Sequence, residues 1–204
     1  MRNISSNTIA RAQTRQALIA LLLLMFLLRS ADCYITYLIT PDLDQEWNPI
    51  VSIFGQSWPG LLLAQLILYV TAGSAAYYSL SHNTFLSYRD GLHYREFVYY
   101  HFNGRLDPAK KWISGFFGIP DIKSGSLAKH VAFLCFLYAS TFITISIFAI
   151  VNNVLILLQI EPYMYFVDRY GNSYILSMFV LSIFINAQLY FYWGYRRYKH
   201  NAGL

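Results

Sequence analysis

Of the 204 residues, 56% are hydrophobic and only 12% are charged, where a soluble domain carries roughly a quarter charged, so an ordinary water-soluble globule is excluded. The formal net charge of +5 does not argue for a nucleic-acid partner, because a membrane chain gathers its cations on one face of the bilayer. Cys33 and Cys135 both sit in apolar runs, which argues against a disulfide framework or a cysteine metal site, and the aromatic share of 18% fits extensive interfacial surface.

At the N-terminus, Arg11 and Arg15 followed by residues 17–28 imitate a signal peptide. Cleavage after Ala31 would place Arg29 where a small residue is required, and Asp32 before Cys33 argues against a lipoprotein site. The segment is therefore read as retained, forming the first span. A helix needs roughly 20 apolar residues to cross about 30 Å of hydrocarbon. Four stretches qualify, at about 16–39, 58–80, 127–151 and 173–195. The third apolar run continues to Ile160, roughly 34 residues or about 51 Å of helix, too long for one straight crossing. A break is expected at Asn152-Asn153, with the VLILLQI segment lying along the outer interface or re-entering.

Sidedness follows from the cations. Arg2, Arg11 and Arg15 precede span one; Arg89, Arg95, Arg105, Lys110, Lys111 and Lys123 fall between spans two and three, with Lys129 at the foot of span three; Arg196, Arg197 and Lys199 follow span four. Only Arg169 lies on the other side, with Arg29 in the membrane, so both termini and the 81–126 loop are expected in the cytoplasm. The chain reads as one integral membrane domain, residues 1–204, of the all-α class.

Within the long loop, Asp107 caps a helix with Pro108 at its first position. Trp112, Phe116 and Phe117 then share a stripe opposite Lys110 and Lys111, the pattern of a helix lying in the headgroup region. The preceding HYREFVYYHFNGR mixes aromatic and basic residues and reads as a solvated connector. Its His93 and His101 have no carboxylate or cysteine at ligand spacing, so neither a metal nor another cofactor is expected. In span two, Gly60, Ala64, Ala72 and Ala76 recur at multiples of four, a row of small residues that lets another helix approach closely. That helix is a span of this chain, a protein partner or a second copy; the spacing does not choose.

The chemistry-bearing residues cluster around span one. Arg29, Asp32 and Thr36 are three and four apart and share a helix face. Counted from the start of the span, they lie about 20 Å deep or more, where a lone ion costs a few kcal/mol. Pairing lowers that cost, so the pair is expected to face the bundle interior. Asn48-Pro49 marks a helix start, and the 41–49 segment is short enough to fold back over the end of span one. The expectation is an outward-facing polar pocket or clasp lined by Arg29, Asp32, Thr36, Glu46, Asn48 and Asn152. Asn186 and Gln188 in span four cannot share a face and read as interhelical hydrogen-bond partners. The DRY at 168–170 falls in an expected outer loop and carries no receptor-like meaning.

Asp32-x-x-x-Thr36 followed by Glu46-x-Asn48-Pro49 resembles the motif of a family of small uncharacterised bacterial inner-membrane proteins, a domain-of-unknown-function family. The likeness covers roughly residues 20–78. Trp47 stands where that family usually has a small residue, and Gln65 where it often has lysine. The resemblance implies an architecture and a motif but no activity. Three functions remain open: a non-enzymatic accessory or scaffold component with a structural clasp, a small carrier for a proton, ion or solute, and an intramembrane enzyme using the carboxylates as acid and base. No nucleophile–base pair, HExxH or phosphate-binding glycine loop favours the last.

Overall fold

The computed structural model describes residues 2–43, 57–82, 91–103 and 126–201, and all regular structure within them is helical. In chain order the described helices are α1 (Arg2–Ile39), α2 (Trp58–His82), α3 (Tyr94–Asn103), α4 (Ser126–Leu157) and α5 (Glu161–Asn201). Thr14–Ile39, Trp58–His82, Leu127–Leu157 and Ser173–His200 are long and apolar enough to cross a membrane. The chain is thus an all-α multi-pass membrane protein. Glu46, Asn48 and the expected interfacial helix with Lys110, Lys111, Trp112, Phe116 and Phe117 lie outside the described residues.

Local chemistry sets the helix ends. Pro41 stops α1 and opens a turn in which the Leu43 amide donates to the Thr40 carbonyl at 3.1 Å. Ser57 caps α2, its hydroxyl accepting the Gly60 amide at 3.3 Å. Glu96 closes the start of α3 by accepting the His93 amide at 2.8 Å, the reciprocal half of a capping box.

The expected break at Asn152-Asn153 is corrected: α4 runs through both asparagines to Leu157. It ends at Gln159, whose φ of 51° is left-handed. There the Gln159 amide donates to the Ile156 carbonyl and the Ile160 amide to the Leu155 carbonyl, the paired bonds of a Schellman cap. Pro162 explains the position, because its ring is tolerated only in the first turn of a helix and forces a new one to begin just before it. The segment 161–172, expected as an outer loop, is instead the start of α5, a helix of 41 residues or about 61 Å.

α4 is the central helix, packed against α1, α2 and α5. Small residues permit the closest approaches. Ala72, Ala75 and Ala76 of α2 meet Ala139 of α4 and Met25 of α1 in one buried cluster, and Gly60 and Ala64 are buried too. The row of small residues is therefore used within the chain. Gly73 belongs to the same contact: a Cβ there would lie 2.8 Å from the Leu22 side chain of α1.

The connector expected to be solvated is corrected as well, because α3 is docked. Phe97 and Val98 are buried in a cluster with Phe133, Tyr190, Phe191 and Tyr198, and the buried His101 ring meets Tyr190 and Phe191 of α5. Tyrosines clip it in place: the Tyr198 hydroxyl accepts the Leu92 amide (2.8 Å), Tyr195 donates to the Leu92 carbonyl (3.3 Å), and Tyr94 donates to Gln188 (3.2 Å). Burial, with the nearby charges of Lys129 and His130, pushes the pKa of His101 down to about 3, so the docked imidazole is neutral.

Candidate functional site

At the opposite end of the bundle from α3, the polar face of α1 turns inward. Asp32 and Thr36 are 8% and 7% exposed, and Arg29 lies between α1, α2 and α4. The guanidinium is held on several sides. Its Nη1 donates to Asp32 Oδ2 at 2.9 Å, its Nε donates to Gln65 Oε1 on α2 at 2.7 Å, and Nη1 also reaches Ser146 Oγ on α4 at 3.5 Å. The Phe142 ring lies 5.0 Å from its carbon centre, placing a negative π-face against the cation.

The second carboxylate oxygen completes the tie to α4. Asn153 Nδ2 donates to Asp32 Oδ1 at 3.2 Å and to Thr36 Oγ1 at 3.3 Å. Asn152 then donates to Asn153 Oδ1 at 3.0 Å and accepts a 2.6 Å bond from the Tyr163 hydroxyl at the start of α5. Burial, aided by neighbouring Tyr174, raises the Tyr163 pKa, so this phenol keeps the proton it donates. A continuous chain of hydrogen bonds thus runs from Gln65 through Arg29, Asp32, Asn153 and Asn152 to Tyr163.

This geometry explains how an ion pair persists at membrane depth. Desolvating two charges is repaid only when their remaining donors and acceptors are also met. Here both oxygens of Asp32 and two nitrogens of Arg29 have fixed partners on three helices. Nearby, the chain after α1 folds back onto α2: Trp58 Nε1 donates to the Pro41 carbonyl at 2.6 Å, and Leu43 is buried against Leu61.

Of the residues expected in the pocket, Arg29, Asp32 and Thr36 come together, and Asn152 stands one bond removed, behind Asn153. Gln65 and Ser146 are members that the helix spacing did not single out. Gln65 was legible as the one polar side chain near the first half of span two, whereas Ser146, bonded to its own helix at the Phe142 carbonyl, carries no such signal. Glu46 and Asn48, expected to close the constellation, lie outside the described residues, and its described part is a hydrogen-bonded network. The groove beside it is lined by Leu38, Ile39, Ile156, Leu157, Gln159, Glu161 and Met164, and holds none of these side chains. Proton relay along the chain meets two amides, Asn153 and Asn152, which do not titrate. Asn186 and Gln188 lie elsewhere, the first donating to Thr144 of α4 at 3.1 Å and the second accepting from Tyr94.

In comparisons with known proteins, no family model, no curated protein and no solved structure matches this chain.

Proposed function

We propose that the chain is a non-enzymatic membrane component, an accessory or scaffold subunit, in which the Arg29–Asp32 network is a structural clasp locking α1 to α2 and α4. One observation supports this above the others. The Asp32 carboxylate has each oxygen committed to a fixed donor, Arg29 on one side and Asn153 on the other, which favours a structural role for Asp32 over one as acid, base or ion ligand. The distribution of lysine and arginine supports a bacterial inner-membrane setting with both termini in the cytoplasm. The motif resemblance around Asp32, Thr36, Glu46, Asn48 and Pro49 supports the same setting. The proposed partners are the lipid bilayer and a protein or second copy of the chain; of the small-residue row of α2, Ala72 and Ala76 already pack against α1 and α4.

Asp32→Asn tests the clasp. The expected outcome is a lower melting temperature in detergent, with no proton or solute flux to lose in vesicles. A variant that melts like the parent while a measurable flux disappears would instead establish a carrier, and loss of turnover alone an enzyme.

A further inference from the structure

The outer face of α5 changes character along its last turns. Leu189 is 54% exposed and belongs to the lipid-facing side of the helix. One turn on come Tyr192 and Trp193, 56% and 44% exposed, and one turn further Arg196 and Arg197, both exposed. Apolar, aromatic and cationic side chains thus succeed one another on one face at helical spacing, the order of acyl chain, interface and headgroup in half a bilayer. Among the described residues neither arginine forms an ion pair. Arg197 lies 4.5 Å from the Trp193 ring, whereas Lys199, two residues on and so on another face, lies 5.3 Å from that of Tyr195. The Trp193 ring holds Arg197 along the helix without neutralising it.

We infer that this end of α5 is a binding site for anionic phospholipid, whose phosphate sits between Arg196 and Arg197 while its acyl chains lie along Leu189. The spacing selects lipid over an acidic protein. From Leu189 to Arg196 is about 10 Å along the helix, so one occupant has to satisfy cations and a membrane-facing apolar surface at once. α5 also has the most to gain, since it packs on the bundle chiefly through α4.

Reconstitution of the full chain into vesicles of mixed phosphatidylcholine and phosphatidylglycerol, followed by analysis of the lipids retained on mild extraction, tests the site. The parent is expected to retain phosphatidylglycerol in excess, and R196Q/R197Q to lose roughly fivefold of that preference for each charge removed. R196K/R197K keeps the charges and is expected to retain most of it, which separates charge recognition from damage to the fold. Added salt should weaken the preference. An unchanged lipid ratio in R196Q/R197Q overturns the site, as does competition by inorganic phosphate alone, which would mark a general anion patch.

Discussion

Arg29 is tolerated at membrane depth because every neighbour contributes something different. Asp32 supplies the opposite charge, Gln65 a carbonyl oxygen, and Phe142 a ring face. Removing Gln65 by Gln65→Leu strands the Nε–H and is expected to cost about 1–3 kcal/mol, read as a lower midpoint in denaturant unfolding. Asn153 donates to two acceptors at once, whereas Thr36 only accepts one bond from it. Asn153→Ala is therefore expected to destabilise more than Thr36→Val, and the reverse order in the same unfolding assay would show that α1 and α4 are not joined here. The pairing of Arg29 with Asp32 is legible in the sequence, because three residues on a helix fix a shared face. Its completion by Asn153 and Ser146 is not. Which faces of two helices meet depends on how each is rotated in the bundle, and the periodicity of a single helix does not carry that.

Among the elements, α2 shows how small residues become contacts. Gly73 faces Leu22, and because the nearest atom is the tip of a flexible side chain, Gly73→Ala is expected to be tolerated. Gly73→Leu has no such room; it should separate α1 from α2 and lower the melting temperature, leaving less folded protein after purification. α3 offers a pH test. His101 has an ordinary pKa of 6.5 when exposed and about 3 when docked, so below pH 6.5 the undocked form binds the extra proton. Docking is at full strength above that value and weakens by roughly 1.4 kcal/mol per unit as pH falls towards 3. Hydrogen exchange of the α3 amides, corrected for intrinsic rates, should therefore lose protection between pH 6 and 4 in the parent and much less in His101→Asn. The burial of α3 was hidden because its mixed aromatic and polar composition reads as a solvated connector until the tyrosines of α5 are placed over it. The end of α4 was misplaced for a comparable reason. An asparagine pair suggests a break, yet both amides are bonded within the network and the helix continues. Pro162 was the informative residue.

For the whole molecule, the four spans and their starts were legible, since a bilayer core admits only long apolar helices from a chain of this composition. The third and fourth run on to Leu157 and His200, beyond the ends expected at 151 and 195. The arrangement around α4 follows from where polar and small residues lie. The Arg29–Asp32 network and the alanine cluster join α1 and α2 to it, and Asn186 ties α5 to Thr144. A clasp of this kind has a thermodynamic signature that a functional ion site lacks: breaking it by one partner leaves a buried charge, whereas replacing both partners leaves none. The most direct measurement is a double-mutant cycle by thermal and denaturant unfolding with Arg29→Met, Asp32→Leu and the two combined. Each single change is expected to cost about 3–5 kcal/mol and the combination clearly less than their sum. Singles that unfold like the parent, or losses that simply add, would contradict the clasp.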